Sequence, residues 1–357
     1  MAGLLSLRRS GNQALATILR LEKDTRAASP LAPSLKALQG LVESDLSRVN
    51  AIVIERAQSP IPLIPQIARH LIAAGGKRIR PMLTLAAARL CGHAGDEAAV
   101  KLAAAVEFIH TATLLHDDVV DDSALRRGKS SANAVWGNAA SVLVGDFLFT
   151  RSFQLMVETG SLRVLDILSH ASSTIAEGEV NQLTASGDLS TSEAKYLDVI
   201  SAKTAALFAA ACRVGAVIAG RPPAEEEALD DYGRNIGIAF QLVDDVLDYA
   251  ARQDKLGKTV GDDFREGKIT LPVLLAYRRG DAAEREFWKR TIERKDQRAE
   301  DLDQAIRLME THGAFTDSLA RAAHYGDLAR RALSVFPDRP EKTALAEAVG
   351  FAVQRGH

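Results

Sequence analysis

Cysteine is scarce in this 357-residue chain: only Cys91 and Cys212 are present. No spacing suits a cysteine-built metal site, and both thiols sit in apolar helical surroundings, so they read as buried and reduced. An excess of one charge is also lacking. Forty-four Lys and Arg face 46 Asp and Glu, a net charge of -2, which leaves no basic field to attract nucleic acid. Aromatic residues make up only 5%, and little of the chain alternates with the period of a strand. Together with abundant Ala and Leu, this points to an all-α fold. Long unbroken apolar runs are missing too. The most membrane-like stretch, Thr204 to Gly220, is broken by Arg213 and built of small residues, so it reads as a core helix. The first 26 residues carry Arg8, Arg9, Arg20 and Arg26 alongside Glu22 and Asp24, without the apolar stretch of a secretory signal. A cytoplasmic protein is therefore expected.

Apolar residues recur at helical spacing over most of the remainder. The segment around Pro30 and Pro33 separates an N-terminal arm, residues 1–32, from a single helical domain expected over 33–357. Leu35, Leu38, Val42, Leu46 and Val49 mark one face of a first helix. Asp96 is placed to cap a long helix running to about Asp122. Further long helical patterns cover about 141–158, 162–185, 192–219 and 224–252. A glycine- and charge-rich loop is expected over 254–268.

Two acidic stripes stand out. Asp117-Asp118-Val119-Val120-Asp121, with Asp122 beyond, closes the helix capped at Asp96. Residues four apart share a helix face, so Asp117 stacks on Asp121 and Asp118 on Asp122, and like charges at that spacing disfavour the helix. The helix C-terminus, where the macrodipole is already negative, adds to the penalty. The second stripe, Asp244-Asp245-Val246-Leu247-Asp248, repeats the spacing, and Gln241, Asp244 and Asp248 share one face. One such cluster is ordinarily a solvated helix face. Two copies, each in an otherwise apolar helix, point to a paired metal site. Hard carboxylate oxygens suit magnesium, which keeps waters and substrate phosphates among its ligands. Opposed helices with inward carboxylates are a way to build such a site.

Basic groups accompany the acids. Lys77 and Arg80 follow Gly75-Gly76 just before a helix, where they and backbone N–H groups can hold an anion. Arg126-Arg127-Gly128 follows the first stripe and could either neutralise it or bind substrate. His110 lies seven residues before Asp117 on the same face; such a histidine is ordinarily a satisfied core residue. Lys203-Thr204 lies among small apolar residues, where a lysine needs an anionic partner. Lys258 and Lys268 flank the glycine-rich loop.

This set of residues, from Gly75-Gly76-Lys77-Arg78-Ile79-Arg80-Pro81 through both acidic motifs and Lys203-Thr204 to Gly257-Lys258-Thr259-Val260-Gly261-Asp262, resembles the trans-isoprenyl diphosphate synthases. The resemblance covers roughly Leu35 to the C-terminus, and no catalytic motif departs from the family pattern. It implies the isoprenoid synthase fold, a large bundle of long helices around a deep central cavity, as a homodimer. It implies isopentenyl diphosphate and an allylic diphosphate as substrates and three Mg2+ ions as cofactors. Asp117, Asp118, Asp121, Asp244, Asp245 and Asp248 would form the metal site. Arg126, Lys203, Lys258 and Lys268 would contact the allylic diphosphate, and Lys77, Arg80, His110 and Arg127 the isopentenyl diphosphate. Thr204 and Gln241 would stabilise the allylic cation.

Short-chain members of that family carry a bulky aromatic four or five residues before the first aspartate. Here those positions hold Thr113 and Ala112, so the resemblance implies a long product, octaprenyl to decaprenyl, for quinone side chains. Phe153 and Met156 are weak candidates for the tunnel floor, and ordinary core packing explains them better. The alternatives are a farnesyl or geranylgeranyl diphosphate synthase, a terpene cyclase, a general helical scaffold, and a non-catalytic subunit of a heteromeric synthase. Complete acidic motifs and a second basic cluster count against the last three. A lipophilic product makes peripheral membrane contact an expectation.

Overall fold

The computed structural model describes residues 33–250 and 261–353. The expected N-terminal arm, Lys258 and residues 254–260 of the glycine-rich loop lie outside the described residues.

The helices are α1 (Pro33–Arg56), α2 (Leu63–Ala73), α3 (Ile79–Leu90) and α4 (Glu97–Val120). A two-strand ladder follows, β1 (Leu125–Arg126) with β2 (Lys129–Ser130), and then α5 (Ala132–Trp136), α6 (Asn138–Glu158), α7 (Leu162–Ala185) and α8 (Glu193–Ile200). A π-helical turn, Ser201–Ala205, leads without a break into α9 (Ala206–Ile218). The rest is α10 (Pro223–Ala250), α11 (Asp262–Glu266), α12 (Leu271–Arg279), α13 (Ala282–Trp288), a second π-turn (Lys289–Glu293), α14 (Asp301–Thr311), α15 (Ala314–Ala332) and α16 (Pro340–Val353).

Local chemistry sets these boundaries. Asp96 caps α4 as expected, accepting from the Ala98 amide at 3.3 Å. Ser161 and Ser192 do the same for α7 and α8. The helix of the first acidic stripe stops at Val120, and Asp122 is left-handed with φ 48°. Asp122 therefore does not stack on Asp118, against expectation. The loop expected over 254–268 contains the short helix α11. The hairpin was not anticipated: Arg127 (φ 52°) and Gly128 (φ 76°) form a two-residue turn with both central residues left-handed, which matches strand twist.

Helix α6 packs along α4, α9 against α3 and α10, and α15 against α10. One apolar cluster gathers α1, α3, α4, α6, α7 and α9; a second gathers the later half of α10 with α12 to α15. Tyr325 and Val353 pack against both. Each large side chain so buried contributes roughly 1.5–3 kcal/mol. Among the described residues, three segments are apolar and long enough to cross a membrane by composition alone. Glu97–Val120 and Glu193–Ile218 are mostly buried in the protein, at 67% and 72% of their most apolar windows, whereas Asn138–Glu158 is buried over only 39%. Val142, Leu143 and Val157 of α6 are exposed, as are Leu162, Val180 and Leu183 of α7.

Candidate active site

The first acidic stripe ends α4 and faces α7, the π-turn and the segment after α11. Asp121 accepts from Lys268 Nζ at 3.0 Å. The same ammonium lies 2.5 Å from Glu266 and 3.9 Å from Asp263. Burial alone would lower the Lys268 pKa, but Asp263, Asp121 and Glu266 together raise it. The Asp263 amide in turn donates to Asp248 at 3.1 Å. Lys268 and Asp263 thus connect the first stripe to the second.

The stripes are not uniform. One residue along a helix is a rotation of about 100°, and the middle aspartates turn into the protein. Asp118 is fully buried, and Arg126 Nε donates to its Oδ1 at 2.7 Å while Nη2 makes a second contact. The other oxygen of Asp118 is buried without a hydrogen-bond partner. Asp245, 4% exposed, accepts from Tyr196 Oη at 2.6 Å and from Gln241 Nε2 at 2.7 Å. Burial and Asp263 raise the Asp245 pKa, against the lowering effect of those two hydrogen bonds. Asp118 and Asp245, expected to support and flank the metal-holding aspartates, are both engaged inside the protein. Asp117, Asp121, Asp244 and Asp248 remain half-buried.

Burial raises the Asp117 pKa, and Asp121 adds to the shift, while Lys203, Arg126 and Lys268 oppose it. This is the electrostatics of a site short of positive charge. Among the described residues no three acidic, histidine or cysteine side chains converge as a ready metal cage.

Lys203 and Thr204 lie in the π-turn, a helical irregularity often found at functional sites. Two glycines let neighbouring helices close on it. A Cβ on Gly178 of α7 would lie 2.8 Å from the Lys203 amide nitrogen, and one on Gly237 of α10 would lie 2.6 Å from Ala205 Cα. Lys203 Nζ pairs with Glu179 at 2.7 Å. Burial and Asp117 raise the Glu179 pKa while Lys203 lowers it. Thr204 Oγ1 donates to Gln241 Oε1 at 2.8 Å. Glu179 and Tyr196 were not anticipated as site residues. The signal for Glu179 was the Gly178-Glu179 pair itself, a small residue permitting helix contact beside an acid.

The basic cluster forms between the turn before α3, the hairpin and α4. The hairpin is tied to α2 by Lys129 Nζ on the Ala73 carbonyl, 2.7 Å, and by His70 on the Ser130 carbonyl, 2.7 Å. This carries Arg127 to the glycine turn, with its Nη1 2.9 Å from where a Gly76 Cβ would sit. Arg78 forms an ion pair with the buried Glu107 of α4. The Arg80 guanidinium lies 4.2 Å over the Phe208 ring, and Lys77 Nζ lies 4.5 Å over that of Phe351. Burial lowers the Arg80 pKa to about 10, with Glu107 opposing and Arg127 assisting. Burial, then Arg80 and Arg127, hold His110 well below the ordinary histidine range, so its imidazole is neutral. Of the four non-glycine residues with positive φ among those described, Arg78, Asp122 and Arg127 lie here. Such backbone costs of order 1–3 kcal/mol each and tends to gather at functional sites.

Ala112 is fully buried, and Thr113 is half-buried one turn before Asp117, its hydroxyl on the His110 carbonyl at 2.9 Å. Met156 is buried, and Phe153 meets Phe149 edge to face at 5.3 Å, so both are core residues here.

The family description Polyprenyl synthetase matches residues 61–309. The octaprenyl diphosphate synthase of Escherichia coli (strain K12) is 48% identical over 322 residues, 90% of this chain and 99% of that protein. Among solved structures, a Caulobacter crescentus CB15 polyprenyl synthase complexed with calcium and isoprenyl diphosphate superposes with a TM-score of 0.89. It is 55% identical and covers 92% of this chain and all of that one. A decaprenyl diphosphate synthase from Rhodobacter capsulatus gives 0.85 at 54% identity, over 90% and 98% of the two chains.

Proposed function

We infer, from the premise that the chain belongs to the polyprenyl synthetase family, that it is a long-chain trans-polyprenyl diphosphate synthase. It adds isopentenyl diphosphate units to an allylic diphosphate. The observation that carries this reading is the network in which Lys268 joins Asp121 of the first acidic stripe, through Asp263, to Asp248 of the second, with the Lys203–Glu179 pair nearby, beside a separate basic cluster around Arg80 and Arg127. Two cationic sites, one of them faced by carboxylates, suit two diphosphates of which only one departs.

Asp117, Asp121, Asp244 and Asp248 would hold divalent cations, magnesium in this reading, which when bound neutralise charge on the departing diphosphate. Lys203 and Lys268 lie within the same acid cluster and are placed to take the diphosphate oxygens in exchange for Glu179 and Asp121. Arg126 supports the stripe by holding Asp118. The allylic C–O bond breaks, its electrons leaving with the diphosphate. Thr204 and Gln241 present oxygen dipoles to the cation so formed. Lys77, Arg80, Arg127 and neutral His110 hold the isopentenyl diphosphate for attack by its double bond on the cation. The proton lost from the adjacent carbon goes to the released diphosphate. The products are inorganic pyrophosphate and an allylic diphosphate longer by one unit.

The small Ala112 and Thr113 support a long product, octaprenyl to decaprenyl, for a quinone side chain. The exposed apolar positions of α6 and α7 support a homodimer built on that face. The free, buried thiols of Cys91 and Cys212 support a reducing, cytoplasmic setting, and the lipophilic product supports peripheral contact with a membrane. The test is incubation with farnesyl diphosphate, labelled isopentenyl diphosphate and magnesium, with product length read by mass spectrometry. A ladder ending at eight to ten isoprene units is expected. No incorporation with farnesyl or other allylic primers would overturn the reading.

A further inference from the structure

We propose that Tyr196, whose hydroxyl is spent on Asp245, is a positioning residue for ionisation of the allylic substrate: through Asp245 it fixes which edge of the Gln241 amide faces Thr204. This rests on the functional reading above and deepens it.

A glutamine amide can present its oxygen or its NH2 in nearly the same space, and its partners decide which. Gln241 Nε2 donates to Asp245 Oδ1 at 2.7 Å, and Thr204 Oγ1 donates to Gln241 Oε1 at 2.8 Å. The Gln241 oxygen is therefore on the Thr204 side. The arrangement holds only while Asp245 accepts. Tyr196 donates to its second oxygen at 2.6 Å, and Tyr196 and Asp245 are 3% and 4% exposed. The carboxylate is thus held at both oxygens in a buried setting and cannot rotate freely. The result is a directional chain, Tyr196 to Asp245, Gln241 to Asp245, and Thr204 to Gln241. With its proton committed to Gln241, Thr204 keeps its lone pairs for positive charge. The chain joins α8, α10 and the π-turn, which the glycines at 178 and 237 hold in close contact.

Replacing the Tyr196 hydroxyl by hydrogen preserves the ring but leaves one Asp245 oxygen buried without a donor. Asp245 can then turn, and the Gln241 amide loses its fixed orientation. The loss falls on a step that develops positive charge, not on binding of either diphosphate.

The experiment compares the wild-type full chain with Tyr196→Phe, Gln241→Leu and the double variant, using farnesyl diphosphate, labelled isopentenyl diphosphate and magnesium. For Tyr196→Phe, kcat is expected to fall roughly tenfold, the scale of one hydrogen bond made at the transition state. KM for each diphosphate should stay within about twofold and the melting temperature within a few degrees. The double variant should be no slower than Gln241→Leu, because both act through one group. An unchanged kcat, multiplying losses, or a rise in KM would overturn the proposal. So would a Tyr196→Phe chain that fails to fold, since that makes the hydroxyl part of the scaffold. An inactive wild type would instead overturn the functional reading itself.

Discussion

Lys268 Nζ lies 3.0 Å from Asp121 Oδ2, so a residue after α11 serves as counter-ion to a carboxylate 147 positions earlier. The ammonium supplies part of the positive charge that the clustered carboxylates lack and that a bound metal ion would complete. Lys268→Gln should lower kcat/KM for the allylic diphosphate by roughly 100-fold, as loss of a charged group at a developing anion does. Binding of isopentenyl diphosphate should be little changed. Steady-state kinetics with each substrate varied in turn checks this.

Removal of Glu179 acts in the opposite sense on the other lysine. Glu179 holds Lys203 at 2.7 Å, and a diphosphate taken up by Lys203 would displace it. Glu179→Gln should bind inorganic pyrophosphate roughly tenfold more tightly, one charged hydrogen bond no longer being given up. Turnover should slow at high pyrophosphate. Calorimetric titration with pyrophosphate in the presence of magnesium gives the answer, and weaker binding would show that Glu179 aids capture instead.

Asp117→Asn should abolish turnover, by about 1000-fold or more, while leaving the metal-free protein at least as stable. The sign follows from its raised pKa. Between the ordinary carboxylate value and the folded one, the folded chain binds more protons than the unfolded chain, so stability falls as pH rises through that window. Denaturant unfolding without metal should show this slope in the wild type and a smaller one in the variant.

His110 has the reverse linkage. Its folded pKa is depressed, so below the ordinary histidine value of about 6.5 the unfolded chain binds the extra proton. Stability should decline as pH falls from there toward the folded value, and His110→Gln should remove that part of the decline. Urea midpoints measured at successive pH values decide it.

Thr113 and Ala112 separate product length from packing. Thr113 shares the Asp117 face and is half-buried, whereas Ala112 is fully buried. Thr113→Phe should shorten the product with the first condensation intact. Ala112→Phe should cost about 1–3 kcal/mol of stability from overpacking. Product mass spectrometry and thermal melts on the two variants test the assignment; a full-length product from Thr113→Phe would move the tunnel elsewhere.

Both acidic stripes, the Asp96 cap and most helix boundaries were legible in the sequence, because each follows from residues within a few turns of one another. What was not legible depended on neighbours supplied by other helices. Helical period says that Asp118 and Asp245 lie about 100° from Asp117 and Asp244. It does not say that Arg126 and Tyr196 wait there. Glu179 is 24 positions from Lys203 and Tyr196 is 49 from Asp245, and no local spacing connects them. The hairpin escaped notice because strands of two residues carry no alternation, and only the Arg127-Gly128 turn chemistry hints at it.

The π-turn at Ser201–Ala205 sets the relative rotation of what precedes and follows it. It accommodates one residue more than a regular helical turn, and each residue advances the azimuth by about 100°. Tyr196 ahead of the turn faces Asp245, while Phe208 beyond it lies under Arg80. Deleting one residue there would swing these two faces out of phase, so that the Tyr196–Asp245 and Phe208–Arg80 contacts could not both be kept, without touching a single charged group. Chain length in this segment is thus constrained as tightly as side-chain identity.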